Sequence, residues 1–247
     1  MNDYLYNENN NLSALITAQP QLLLTLSHFG IPMGFGDKTI AQVCSEHRVD
    51  PKFFLLICEV YSNDNYIPPA ATLRATPMEG LVPYLLRSHD YYLNRRLPHI
   101  GHHLEKIADM LPQRGGKAIK QFFNAYIEEV RDHFTHEEEI VYPHISNLID
   151  GKKDDFKIKD FLVSHGNLED KLSDLVQIIF KYLPSCGDNA SSPSKIEVAR
   201  GSMNNDDDAI DMIFDILQLS HDLRKHAIVE DKILGPYVKQ LEKATKL

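Results

Sequence analysis

The sequence predicts an all-α protein: an up-down-up-down four-helix bundle preceded by a small all-helical N-terminal domain. Three observations carry this. From Pro83 onward four long amphipathic segments can be drawn, at about 83–111, 116–149, 155–183 and 208–245. No alternating β pattern of useful length is found; Val60-Tyr61 and Ile140-Val141-Tyr142 favour strand locally but belong to stronger helical stretches. The composition, 247 residues with 43% hydrophobic and 25% charged, is that of an ordinary globular protein able to bury a real core.

In chain order, Leu12, Leu15, Ile16, Leu22, Leu23, Leu26 and Phe29 have helical spacing interrupted at Pro20 and ending at Gly30 and Pro32. Asp37 or Thr39 is placed to cap a second helix running to about Arg48. Asp50-Pro51, a cap residue followed by proline at the first helical position, opens a third through Phe53, Phe54, Leu56, Ile57 and Val60. Ser62 to Pro77 has linker composition. The expected organisation is a small helical domain at 1–64, a linker at 65–82 and the bundle at 83–247. Within the bundle, breaks are expected at Leu111 to Gly116, at Asp150-Gly151 and across the Ser/Asn/Gly/Pro-rich stretch Pro184 to Asn205. The first two are short enough to join antiparallel neighbours.

Several function classes drop out. A net charge of −9 without a Lys/Arg cluster lacks the footprint of a nucleic-acid binder. No apolar run approaches the length of a membrane span, and the polar Met1 to Asn11 does not read as a signal peptide, which points to the cytoplasm. Cys44, Cys58 and Cys186 show no C-x-x-C spacing and read as ordinary free thiols. A helical module of this size is also compatible with a homodimer.

Histidine stands out. Of 12 in the chain, only His28 and His47 precede residue 85. The second and fourth bundle segments share an eleven-residue frame, His133-Phe-Thr-His-Glu137-Glu138-Glu139-Ile140-Val141-Tyr142-Pro143 against His226-Ala-Ile-Val-Glu230-Asp231-Lys232-Ile233-Leu234-Gly235-Pro236. In each, histidine precedes glutamate by four, so both side chains stack on one helix face and can aim a nitrogen and a carboxylate at one point. The other two segments each supply a histidine near one end, His89 and His165. Four histidines and two carboxylates suit two iron ions with an open coordination position; zinc and manganese accept the same donors, whereas copper(I) and iron-sulfur chemistry want thiolate. The Glu-x-x-His signature of ferritin-type sites is absent.

Residues 83–240 resemble a hemerythrin-like, HHE cation-binding domain, whose pattern is a lone histidine, a His-x-x-x-Glu, a second lone histidine and a second His-x-x-x-Glu on successive helices. The resemblance implies a non-haem di-iron centre, oxo- or hydroxo-bridged, bound by His89, His133, Glu137, His165, His226 and Glu230, with Glu137 and Glu230 as bridges. Residues 12–61 further resemble the small N-terminal domain of the repair-of-iron-centres proteins, through His28-Phe29-Gly30-Ile31, Gly36-Asp37-Lys38-Thr39-Ile40 and Val49-Asp50-Pro51. That family usually carries a cysteine pair just after the Gly-Ile step, where this chain has Pro32 and Met33. The resemblance implies a role in oxidative or nitrosative stress and iron-sulfur cluster repair, with nitric oxide, oxygen or peroxide as ligands and iron-sulfur proteins as clients. The alternatives are a gas or redox sensor, an iron store, or a bundle that holds metal only to fold.

Neighbouring residues are assigned lesser roles. His99 and His103 are four apart, a spacing open to a second metal pair, but Gly101 and the break that follows place them near a helix end, and they read first as surface residues. His136, Glu138, Glu139 and Asp231 are rotated off the ligand face, suited to solvent or to partnering a ligand. Glu169 lies one turn beyond His165, placed either to enter the pocket as an acid or partner of a ligand or, as it reads first, to be an exposed ion-pairing residue. Asp90 and Asp222 are expected to orient imidazoles. Tyr91, Tyr92, Tyr126 and Tyr142 are placed to line the pocket, although at helical spacing they read first as core.

Overall fold

The computed structural model of the chain describes residues 6–111, 113–152, 154–164, 168–182 and 195–245. Among these the protein is all-α, with no strand and only an isolated bridge between Asn11 and Thr39. Caps set the first helices. Asn11 accepts from the Ala14 N–H to start α1 (Leu12–Ala18), and Pro20 opens a 3-10 turn, Pro20–Leu22, leading into α2 (Leu23–His28). Thr39, rather than Asp37, caps α3 (Ile40–Glu46): its hydroxyl accepts from the Gln42 N–H while the Gln42 side chain accepts from the Thr39 N–H. Asp50 accepts from the N–H groups of Lys52 and Phe53, and Pro51 is the first residue of α4 (Pro51–Ser62). The linker-like stretch that follows is not bare coil. It contains α5 (Ala70–Ala75), where good helix formers follow Pro69 and Leu73 is buried.

Three of the four predicted bundle helices are interrupted by a π-helical turn. α6 (Leu81–Tyr91) passes through Tyr92–Arg96 into α7 (Leu97–Met110); α8 (Gln113–His136) passes through Glu137–Val141 into α9 (Tyr142–Ile149). The third segment is α10 (Ile158–Ser164) and α11 (Leu168–Tyr182); the fourth is α12 (Lys195–Val229), a π-turn Glu230–Leu234, and α13 (Gly235–Ala244). Pro98, Pro143 and Pro236 are each the second residue after a π-turn. A mid-helix proline has no N–H and its ring collides with the carbonyl four residues back. Widening the preceding turn relieves this, and the N–H groups of Tyr142 and Gly235 bond the carbonyls of Glu137 and Glu230, five residues back.

Three boundaries depart from the sequence reading. α8 resumes at Gln113, so Gly115 and Gly116 are helical; a Cβ on Gly116 would stand 2.1 Å from the Ala108 carbonyl oxygen, so glycine is required by close approach rather than by a turn. Gly101 is likewise inside α7, where a Cβ would meet the Phe123 ring at 3.2 Å, and His99 and His103 are not at a helix end. The last helix begins at Lys195, ahead of the expected 208, because Lys195–Arg200 are acceptable helix formers despite the Ser/Asn/Gly bias around them.

Contacts divide the chain into two compact units. The first comprises Met1–Tyr91, Thr135–His165 and Lys225–Leu247. In it the N-terminal helices share one apolar core with α6, α9, α10 and α13: Phe29, Phe53, Phe54 and Tyr84 belong to the same cluster as Val141, Ile145, Ile233, Leu234 and Val238. Phe29 is central, with its ring 4.8 Å from that of Tyr84 and 5.1 Å from that of Phe54. The buried Lys225 pairs with Asp64, and Lys232 Nζ donates to the Tyr66 carbonyl at 2.9 Å, tying the segment after α4 to the last helix. The second unit comprises Tyr92–Phe134 and Gly166–Arg224, with Leu97, Ile100, Leu104, Phe123, Val130, Leu172, Ile179, Met212, Ile216 and Leu219 in its core. No helix among the described residues is long and apolar enough to cross a membrane.

Candidate metal centre

The first unit contains a buried polar cluster. His89 lies in the last turn of α6, His226 in the last turn of α12, and Glu137 and Glu230 are the first residues of their π-turns. None exceeds 4% exposure. Each offers one donor atom, two imidazole nitrogens and two carboxylate oxygens, and all four lie within 4.8 Å of one another. His89 Nε2 is 3.0 Å from Glu137 Oε2, and His226 Nε2 is 3.2 Å from Glu230 Oε1.

These separations fit a cation. Metal–ligand bonds of about 2.0 to 2.2 Å set adjacent donors about 3 Å apart and opposite donors a little over 4 Å apart. Two carboxylates buried together in an apolar core need a positive charge nearby, from a protonated imidazole or a bound cation.

Partners from other helices set which nitrogen faces inward. The Ser88 hydroxyl donates to the Leu85 carbonyl at 2.6 Å, so toward His226 Nδ1, 3.0 Å away, it acts as acceptor. That fixes the proton on Nδ1 and leaves Nε2 for the cluster. His89 Nδ1 donates to Glu138 Oε1 at 2.8 Å, again turning Nε2 inward. Burial opposes a charge on His89, but hydrogen bonds to Glu137 and Glu138 and the charges of Glu137 and Glu230 outweigh it, pushing the imidazole up to about 9. The Tyr142 hydroxyl completes this side, 3.2 Å from His89 Nε2 and donating to Glu137 Oε2 at 3.5 Å. Burial, then Glu137 and Glu230, raise its phenol well above the ordinary value.

The N-terminal helices add a buried histidine within electrostatic reach of the cluster. His28, at the end of α2, is buried edge-on to the rings of Tyr84 and Tyr91 at 5.4 and 5.5 Å. Burial first, then the charges of His226 and His89, depress it to about 3, so it stands neutral beside the cluster.

Four of the six side chains singled out in the sequence, His89, Glu137, His226 and Glu230, therefore come together. His133 is half-buried on α8, its ring beside that of Phe134, and is not part of the four-donor cluster. His165 and the side chain of Glu169 lie outside the described residues, as does Cys186. Ser88 and Glu138 contact the outward nitrogens of the two clustered imidazoles. Asp90 is exposed, and Asp222 accepts from Gln218 Nε2 at 2.8 Å. Tyr142 lines the site, Tyr91 packs on His28, and Tyr92 and Tyr126 are core of the second unit. Sequence reasoning missed Ser88 and His28; the serine adjoining His89 was a weak local signal, and nothing local marked His28 as buried.

A family model for the hemerythrin HHE cation binding domain matches residues 83–238. The chain belongs to this family. No curated protein matches the chain. The matched range includes all four clustered donors, Ser88, Glu138 and Tyr142, while His28 precedes it. Family membership and the His/Glu cluster agree on cation binding as the property of the site.

Proposed function

We propose that the chain is a non-haem di-iron protein of oxidative and nitrosative stress defence, acting in the cytoplasm to maintain iron-sulfur proteins by binding or reacting with nitric oxide, oxygen or peroxide, or by delivering iron. The observation that carries this reading is the buried set of two nitrogen and two oxygen donors within 4.8 Å of one another. On this reading His89, Glu137, His226 and Glu230 would hold iron, and the family pattern would add His133 and His165 as further donors. Bound iron would supply reversible electron transfer and an open position for a small ligand.

The chain's own residues prepare that site. Glu138 and Ser88 lock the two ring orientations, so the inward nitrogens are presented without a search over tautomers. Loading requires the proton on His89 Nε2 to leave; Glu137 and the Tyr142 hydroxyl stand 3.0 and 3.2 Å from that nitrogen and are the groups beside its path. The apolar core around them excludes bulk water, which strengthens every charge interaction inside.

A second reading, a di-iron gas or redox sensor or an iron store without turnover, is favoured by one observation. The N-terminal helices share a core with the site end of the bundle, and His28 is close enough to feel His226 and His89. Metal analysis of anaerobically purified protein, followed by nitric oxide addition to the reduced form, tests both. About two irons per chain are expected. Continued nitric oxide consumption supports turnover, and one stoichiometric event supports the sensor. Glu137→Ala and Glu230→Ala should each empty the site. Unchanged iron in both variants, or a folded wild-type protein that takes up only zinc or nothing, would overturn the di-iron assignment.

A further inference from the structure

The second unit carries another set of metal-ligating side chains, on the surface and separate from the four buried donors. His99 and His103 stand one turn apart on α7, with ring centroids 4.6 Å apart. Residues four apart on a helix present their side chains to the same patch, and two imidazoles so placed form a chelating pair. His99 is 52% exposed, and its Nε2 lies 3.4 Å from Asp215 Oδ2 on α12. Asp215 is itself fixed: Arg96 Nη2 stands 3.3 Å from its Oδ1 and donates to its main-chain carbonyl at 3.3 Å. One carboxylate oxygen is thus anchored by the guanidinium while the other faces the histidine.

The 3.4 Å separation is informative. In a tetrahedral site with bonds of about 2.0 to 2.1 Å, neighbouring donors are about 3.3 Å apart. His99 Nε2 and Asp215 Oδ2 already span such an edge, and the half-buried His103, its ring centroid 4.6 Å from that of His99, is the next imidazole to hand. The fourth corner faces solvent. His102 meets His103 edge-on at 5.9 Å but lines a groove with Lys120 and Phe123, so it is left out of the set.

We propose that His99, His103 and Asp215 form a second, solvent-exchanging metal site for a borderline divalent transition-metal ion of the zinc or copper(II) type. Imidazole and carboxylate together select such ions over calcium or magnesium, which want oxygen alone. Being open to water on one side, the site exchanges its ion readily, unlike the enclosed cluster of the first unit. The inference does not depend on the di-iron reading.

The test uses full-length, tag-free, metal-loaded protein titrated with Cu2+ and followed by electron paramagnetic resonance. One added equivalent with nitrogen splitting from two imidazoles is expected. His99→Ala and His103→Ala should each weaken Cu2+ binding at least tenfold and remove one nitrogen from the splitting, with unchanged circular dichroism. Asp215→Asn should weaken binding several-fold and keep both nitrogens; no change there would remove Asp215 from the ligand set. Glu137→Ala should retain the added equivalent, which separates this site from the buried one. A Cu2+ titration identical in wild type and the His99→Ala/His103→Ala double variant would overturn the proposal, as would no binding in wild type.

Discussion

The Ser88 hydroxyl stands 3.0 Å from His226 Nδ1, across 138 positions of sequence. Because the same hydroxyl gives its proton to the Leu85 carbonyl, it can only accept from the ring, and the ring can only present Nε2 to Glu230. Ser88→Ala leaves a buried N–H without its acceptor and frees the imidazole to turn. Cation affinity should fall about 10- to 100-fold, read by competition with a chelator, while Ser88→Thr retains most of it. Equal affinity in Ser88→Ala and wild type would reduce the serine to a space filler.

Asp222 supplies a pH test away from the donors. Burial pushes its carboxyl from 3.8 up to about 7, against a lowering by the Gln218 hydrogen bond and the Arg96 charge. The folded chain therefore holds this proton more tightly than the unfolded chain does. The stabilisation is complete below the unfolded value and is lost as pH rises through about 7. Asp222→Asn keeps an acceptor for Gln218 and removes the charge. Its melting temperature should exceed that of wild type at about pH 8 and converge with it near pH 4. Parallel curves at both values would contradict the assignment.

Pro143 and Pro236 are expected to act on metal through backbone shape. Replacing either with alanine restores an N–H and removes the ring collision, letting the preceding turn close from π to α. That rotates Glu137 or Glu230 relative to the helix beyond it by about 100°. Pro143→Ala and Pro236→Ala should therefore keep their helical circular dichroism and lose at least tenfold in cation affinity. A variant with wild-type affinity would show that the widened turn is not needed to aim the carboxylate.

The two described cysteines should be chemically quiet. Burial raises Cys44 to about 12 and Cys58 well above the ordinary thiol value. Iodoacetamide at neutral pH should leave both unmodified in native protein and label both after denaturation, read by peptide mass. Rapid native labelling of either would place a reactive thiol in the N-terminal helices.

What the sequence made legible was short-range. The His226/Glu230 pair follows from a four-residue spacing, Glu137 from the matching frame, and the Thr39 and Asp50 caps from their own next three residues. What escaped was set by contacts between distant segments. Glu138 reads from the sequence as suited to solvent or to partnering a ligand, and which of the two applies is decided by His89 approaching from another helix, 49 positions away. His144 carried no motif, yet it is buried between Asp154 and Glu242, 2.6 and 3.3 Å from its two nitrogens, where it fastens the turn after α9 to α13. His133 shows the converse: it has the same spacing to Glu137 as His226 has to Glu230, and lies outside the four-donor cluster. Proline in each frame was visible, but its effect of widening the turn before it, rather than ending the helix, depends on packing on both sides.

The common core of the first unit makes the N-terminal helices a thermodynamic passenger of the site. A ligand that binds only the native form adds its binding free energy to everything that unfolds with that form. Phe29 and Phe53 pack in one cluster with Val141 and Ile233, which flank the donor carboxylates in sequence. An ion seated there would slow amide exchange as far back as α1, and its withdrawal would loosen helices that contribute no donor to it.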